Sequence, residues 1–500
     1  MQQLFSRKQV IVLISSLSLL VLGFGLYVPI KLFWHATTTP SQQPDAPIMT
    51  VFVHGSFASL LGFLSFSDVM QDKISGTAYR EVTKRMRMDD YFFKAQPILQ
   101  RGLIPVTPTF NLTDTKNNKY AAYPLAKVYQ TISNTLETTP EKQLFYTFGW
   151  SGLISQASRR YEAIRLYNAL QEELDKLKSQ GIIPKIRLIA HSHGGNLCLN
   201  LAAVTKVLEA HTFDQKHIYA TDPDEQESVD AMAQMVLRLT TFELAKMRPD
   251  QKVYDYVPLR HNLIIDELIM YGVPIQQETE SFCFAPTFKR VYHFYSAEDY
   301  VQRADWVSSK KSLSVARITK RPSLTNLKAG NAAKLVQAQI VIGQGAGKAK
   351  EVTPNKPTPT ERKGLADQLV NIWNKLCAGE NIFQRHSTDP THKELWFFLW
   401  QPSEAKFTPA FAPLPVVAFT PIIITALNQA PNMTDAVVSF HQEQDRWCIN
   451  AAPWGKQVPT VTRCVPKAVI TQLQELVRPW EPDKQSGFDE FEVISKHLGR

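Results

Sequence analysis

Short runs of consecutive apolar residues alternate along this chain with longer stretches whose apolar positions recur every three or four residues. The first short run, IMTVFV at 48–53, is β-branched and stops at His54-Gly55. LFYTFGW at 144–150, KIRLIA at 185–190, IDELIMYGVPI at 265–275, KRVYHFYS at 289–296 and AQIVIGQG at 338–345 have the same texture. Such runs read as buried strands. Between them, 155–181 has helical spacing and a stop signal at Gly181, and GNLCLNLAAVTKVLEA at 195–210 reads as a second helix. Strands alternating with helices predict an α/β fold: a mostly parallel central sheet with helices on both faces. Beyond residue 400 the texture changes. FAPLPVVAFTPIIITAL at 411–427 and AVVSFHQEQDRWCINAA at 436–452 are proline-punctuated and read as strand-rich, so 401–500 is expected to be a β-rich accessory region.

One run is of another kind. Residues 10–30 are 21 positions without a charge, preceded by Arg7 and Lys8. That length suffices to cross a bilayer as a helix. The exit, KLFWHATTTP, is a poor cleavage site, so the reading is an uncleaved anchor, with a cleaved signal peptide as the alternative. Positive charge on the short N-terminal side predicts a single-pass membrane protein with an extracytoplasmic body. The resulting organisation is an anchor at 1–36, a polar tether at 37–47 and an α/β body at 48–400 with insertions at 58–142 and 306–364. The accessory region completes it.

Charge changes the picture locally. The net charge of +9 is concentrated between residues 306 and 364, where 12 Lys or Arg face only Glu351 and Glu361. This Gly-, Pro- and Thr-rich segment reads as a solvated insertion; contact with anionic head groups is the functional alternative. Aromatic residues do not interleave with the basic ones and no reader motif occurs, so nucleic acid is not an expected partner. Cysteine adds little. Cys198, Cys283 and Cys377 lie in apolar surroundings and read as packing residues. Cys448 and Cys464 bracket a turn-rich stretch, and whether they pair stays open.

The candidate chemistry sits in KIRLIA-HSHGG-NLCLNLAAV. This is strand, tight turn, helix, with Ser192 at the turn. A strained turn holds the hydroxyl at the end of the strand, and Gly194 and Gly195 let strand and helix approach. The His193 N–H at the helix start is a candidate oxyanion donor, aided by the helix dipole. Gly55, following the first strand, frees the backbone for a second donor, assigned to Ser56 with Phe57 close behind. The acid is expected at the carboxyl end of a strand, where groups of open α/β sheets gather. Asp299 satisfies this, Glu298 is the fallback, and Asp266 lies at the wrong end. Four histidines follow: His386, His392, His441 and His497. His392 is favoured, because Asp389 and Pro390 read as the cap and first residue of a helix that would hold its ring. His386 ranks second. His191 and His193 read as structural, since side chains flanking a sharp turn diverge. With no H-E-x-x-H and no paired C-x-x-C, neither metal nor cofactor is expected.

VFVHGSF, IAHSHGGN, LIMYGVPI and YSAEDYVQ, in that order, resemble the α/β-hydrolase superfamily, in its lipase and esterase branch. HKELWFF at 392–398 stands where such enzymes carry their histidine. The resemblance spans roughly 48–400; Ala190 replaces the usual first glycine of the elbow. It implies an eight-stranded sheet, a Ser-Asp-His triad, an acyl-serine intermediate and an ester or lipid substrate. Acyl transfer, thioester or amide cleavage, and a non-catalytic scaffold are the competing readings. The sequence says nothing of oligomeric state.

Overall fold

The computed structural model describes residues 46–55, 102–107, 122–136, 142–150, 152, 156–212, 223–241, 263–299, 334–343, 387–392, 394–398, 409–429, 433–454 and 461–478. Its frame is one ten-stranded sheet. The strands are β1 (Ile48–Val53), β2 (Ile104–Val106), β3 (Gln143–Phe148), β4 (Lys185–His191), β5 (Ile265–Tyr271), β6 (Phe288–Tyr295), β7 (Leu335–Ile342), β8 (Asp435–Glu443), β9 (Arg446–Pro453) and β10 (Val461–Pro466). They lie in the order β10-β9-β8-β7-β6-β5-β4-β1-β3-β2. The block from β3 to β8 is parallel, while β2, β9 and β10 pair antiparallel at the two edges.

The chain leaves β1 for β3 on one side, returns to β4 on the other, and then steps outward through β5 to β8. The reversal falls between β1 and β4. In open parallel sheets this is where a crevice opens at the carboxyl ends of the strands. Gly55 and Ser192 stand at those two ends.

Both faces are covered, which is why β1 and β4 carry almost no alternation. On one face lie helices α1 (Ala122–Leu136), α5 (Thr420–Asn428) and α6 (Lys467–Val477), packed against Phe52, Ile189, Tyr271 and Phe294. On the other lie α2 (Gln156–Ser179), α3 (His193–Thr212) and α4 (Pro223–Thr241), packed against Val51, Val53, Leu188 and Ala190. Helix α2 stops as its sequence predicts. Gly181 takes φ +75°, its N–H bonds to the Lys178 carbonyl at 3.0 Å, and the Ile182 N–H reaches back to Leu177 at 2.9 Å. This paired closure satisfies the last carbonyls, and the positive φ explains the glycine.

Three expectations need correction. Residues 411–427 are not strand: Val416–Phe419 is a 3₁₀ turn and Thr420–Asn428 is α5, with Pro421 in its first turn. Its Ile and Val run looked strand-like because the helix is apolar nearly all round, buried between α1 and the C-terminal strands. For a short segment of that kind, periodicity cannot separate the two states. Second, 401–500 is not set apart as an accessory region, for β8 pairs directly with β7 and carries the sheet on through β9 and β10. Among the described residues the sheet thus has ten strands, where the resemblance implied eight. Third, the supposed insertions hold framework. Residues 58–142 contain β2 and α1, and 306–364 contains β7, flanked in the order by β6 and β8. The run at 338–345 already reads as a strand, whereas β2 is only three residues long and gives too short a pattern to read.

Among the described residues no helix is long and apolar enough to cross a membrane. The anchor at 10–30 and the basic stretches on either side of β7 lie outside the described residues.

Candidate active site

β4 ends at His191, α3 begins at His193, and Ser192 is the whole connection. Its φ of 50° is the one positive value at a non-glycine position among the described residues. Such a conformation costs on the order of 1–3 kcal/mol and persists only where the surroundings impose it. Here the Ser192 N–H donates to the Tyr271 carbonyl of β5 (3.0 Å), and the Ser192 carbonyl accepts from Gly195 (3.0 Å). Close approach does the rest. A Cβ at Gly194 would lie 2.1 Å from the His54 carbonyl oxygen, and one at Gly195 2.4 Å from Val273 Cγ2. A Cβ at Gly55 would lie 2.6 Å from Ser192 Cβ. The glycines therefore let the ends of β1, β4 and β5 converge on the serine. Ser192 is only 2 % exposed, so its hydroxyl is not held out in the open as its turn alone suggested.

His54, at the end of β1, is locked. Its Nε2 accepts the Trp150 N–H (3.2 Å), which leaves the proton on Nδ1 to donate to the Gly55 carbonyl (2.6 Å). The Trp150 indole N–H returns to the His54 carbonyl at 2.8 Å, and the two rings stack at 5.4 Å. Ser56 and Phe57, the expected second oxyanion donors, lie outside the described residues. His193 opens α3 at its N-terminus, and its Nδ1 accepts from the buried Arg159 guanidinium at 3.1 Å. Arg159 also donates to Gln276 Oε1 (2.6 Å) and Gln156 Oε1 (2.9 Å), fixing α2 behind the serine turn.

Asp299 follows β6 by four residues, at the carboxyl end of the sheet, and is 1 % exposed. Its Oδ2 is 2.8 Å from His392 Nδ1. Both meet over Gly272, the residue after β5. A Cβ there would lie 2.7 Å from Asp299 Oδ2 and 2.9 Å from His392 Nδ1. The neighbouring Tyr271 carbonyl holds the Ser192 N–H, so the acid–imidazole pair and the serine turn flank one short piece of β5 backbone. The His191 and His392 rings lie 4.4 Å apart.

The other candidates are elsewhere. Asp266, near the start of β5, accepts the Ile186 N–H (2.8 Å) and Lys289 Nζ (2.7 Å), tying strands together at the opposite end. His441 lies on β8, four strand spacings from β4, roughly 19 Å at about 4.8 Å per step. Glu298 Oε1 accepts the Ser387 hydroxyl at 2.9 Å, and it is Asp299 that meets the His392 ring nitrogen. His386 and His497 lie outside the described residues.

The loop that carries His392 differs from its expected form. Asp389 does not cap a helix; its Oδ1 accepts the Ile342 N–H at the end of β7 (3.1 Å), while the Thr388 hydroxyl donates to the Ile342 carbonyl (2.9 Å). The turn starts two residues later. Thr391 Oγ1 accepts the Glu394 N–H (3.3 Å), Glu394 Oε2 accepts the Thr391 N–H (2.8 Å), and Leu395 N–H bonds to the Thr391 carbonyl (3.2 Å). This reciprocal pair is a capping box around one helical turn, with His392 at its first position. Thr391-x-x-Glu394 is the signal in the sequence that could have found this turn.

His191, read as structural, packs its ring against the histidine loop. Burial, reinforced by the nearby His392, holds its pKa well below the usual histidine value, so it is neutral. His293 on β6 is likewise kept neutral by burial, its pKa pushed down to about 4 despite its bond to the Val273 carbonyl. Among the described residues one set of potential metal donors gathers within 4.8 Å: His441, Glu443 and Cys448. The Cys448 sulfur is joined to Cys464, the pairing the sequence left open, and a disulfide sulfur offers no thiolate. Cys198 and Cys283 are buried thiols whose pKa values burial pushes up, as suits packing residues.

The chain matches no protein-family model, no curated protein and no solved structure in comparisons with each.

Proposed function

We propose that this chain is a serine hydrolase of the α/β-hydrolase class that cleaves carboxylic esters, lipid esters among them, through Ser192, His392 and Asp299. The observation that carries the reading is the 2.8 Å contact of His392 Nδ1 with Asp299 Oδ2, beside a serine in a positive-φ strand–helix turn. In this chemistry His392 Nε2 takes the Ser192 proton as the oxygen attacks the ester carbonyl. Asp299 accepts the Nδ1–H, which fixes the tautomer and stabilises the imidazolium. The oxyanion is stabilised by the His193 N–H at the start of α3 and by the Ser56 N–H after β1. Collapse transfers the proton to the leaving alcohol, and water then releases the acyl group from the serine. No step calls for a cofactor or a metal. An anchor at 10–30 would hold an extracytoplasmic body at the membrane, which favours lipid esters as substrates.

The test is covalent labelling of the full chain, in detergent, with a fluorophosphonate probe. Wild type should label with one equivalent, and Ser192→Ala should not label while unfolding at the same temperature. Undiminished labelling of the alanine variant would defeat the assignment.

A further inference from the structure

Three residues of the histidine loop, His392, Trp396 and Phe397, pack around a single side chain of the neighbouring strand, His191. The His191 ring faces His392 at 4.4 Å, stacks on Trp396 at 5.3 Å with planes 13° apart, and meets Phe397 edge-on at 5.6 Å. Its Nε2 is 3.1 Å from the His392 main-chain oxygen. A carbonyl can only accept, so Nε2 carries the proton and donates.

That assignment leaves Nδ1 bare, and Nδ1 is buried with no hydrogen-bond partner. An orphaned buried acceptor is destabilising, because it has given up its bonds to water and gained none in return. An aliphatic or phenyl ring would fill the same space without that cost. What the imidazole adds is the one bond it does make, to the His392 backbone. We infer that His191 is the positioning residue of the histidine loop: it holds His392 by its main-chain carbonyl and packs a neutral ring against the His392 ring.

The arrangement has a consequence for geometry. Ser192 is the next residue after His191, so nucleophile and base are referenced to the same point at the end of β4. A shift of that strand end carries both, and their separation is preserved. It also has a consequence for charge. His392 must become positive during catalysis, and an uncharged neighbour at 4.4 Å spares it the repulsion that a second imidazolium would bring.

This inference rests on the serine-hydrolase reading, and the experiment separates the two. His191→Phe keeps the ring contacts and removes the donor; His191→Gln keeps a donor and removes the ring. Full-chain variants would be measured for p-nitrophenyl butyrate hydrolysis, fluorophosphonate labelling rate and thermal unfolding. His191→Phe should lower kcat about 10- to 100-fold, in line with small displacements of a catalytic group, with KM changed less than twofold. His191→Gln should recover turnover to within about fivefold of wild type. A downfield proton resonance from the His392–Asp299 bond should be present in wild type and His191→Gln, and lost in His191→Phe. Wild-type turnover in His191→Phe overturns the inference. So do equal losses in both variants that track a common fall in unfolding temperature, which would make His191 mere packing. A wild-type chain that neither labels nor hydrolyses defeats the hydrolase reading and takes this inference with it; the labelling of wild type therefore tells the two failures apart.

Discussion

The serine turn and the histidine loop meet over the same piece of β5, yet they are held by different forces. The turn is held by contact. Its glycines sit where a Cβ would come within 2.6 Å of a neighbour, and backbone bonds to Tyr271 and Gly195 impose the positive φ of Ser192. The His392 end of the loop is held in large part by polar side chains. Ser387 bonds to Glu298, Thr388 and Asp389 grip Ile342, and Thr391 and Glu394 cap each other. Contact between main chains cannot be relaxed by a rotamer change, whereas a hydrogen bond can be exchanged for one to water. The turn should therefore respond to substitution in an all-or-none manner, and the loop by degrees.

The largest effect is expected at Gly194. Its added methyl would stand 2.1 Å from the His54 oxygen and 3.0 Å from the Val53 oxygen, both main chain. The ends of β1 and α3 would have to separate. Gly194→Ala should lose more than about 4 kcal/mol of stability, the range reserved for severe core disruption. Thermal unfolding reads this directly, and a variant melting within a few degrees of wild type would break the contrast drawn here.

Next comes a variant that should spare the fold and stop the chemistry. Asp299→Asn keeps the shape of a buried side chain beside His392 but favours the wrong imidazole tautomer. Ester turnover should fall about 10⁴-fold with little change in unfolding temperature. Asp266→Asn should do the reverse, because Asp266 accepts from Ile186 and Lys289 at the far end of the sheet. A reversed pair of outcomes would mean that the acid lies elsewhere.

The same contrast explains what could be read from the sequence. The serine turn occupies one continuous stretch, with strand, glycines and helix all local. Asp299 follows from its place at a strand end, but chain order leaves four histidines, and His392 is favoured among them on Asp389-Pro390, a signal the structure uses otherwise. The lock on His392 was not legible in the same way. Asp389-Pro390 and Thr391-x-x-Glu394 are both respectable helix-start signals, and only the free N–H at the end of β7 decides that Asp389 is used there. His191 was set aside because neighbours of a sharp turn diverge. They do diverge, but His191 diverges into the histidine loop. Likewise the apolar run at 420–428 carries no periodicity that could separate helix from strand, and its burial on α1 and the C-terminal strands settles the matter.

A smaller effect is expected at Ser387. Its hydroxyl donates to Glu298 Oε1 at 2.9 Å, and its oxygen accepts the Asp389 N–H at 3.2 Å. Ser387→Ala removes both, but Thr388 and Asp389 still hold Ile342. Turnover should fall about tenfold through a displaced His392, the size of loss that sub-ångström misplacement produces. Unchanged turnover would show that the Ser387 bonds take no part in placing His392.

The smallest effect should come from the capping box, and it is the sharpest test of graded behaviour. Thr391 Oγ1 accepts the Glu394 N–H, and Glu394 Oε2 accepts the Thr391 N–H, so the two bonds are separable. Thr391→Ala removes the first and leaves the second. Loss of a threonine cap typically costs about 1 kcal/mol. The loop keeps its other tethers, so global unfolding temperature should move by only a few degrees. The local effect should be clearer. The Leu395 N–H donates to the Thr391 carbonyl across the capped turn, and a fall of about 1 kcal/mol in local stability should speed its exchange with solvent about fivefold. Thr391→Ser retains the oxygen and should exchange as wild type does. Should the serine variant lose as much as alanine, the threonine methyl and not the cap would be holding the turn. Exchange that accelerates throughout the sheet in Thr391→Ala would mean that the loop, like the serine turn, is part of the all-or-none core.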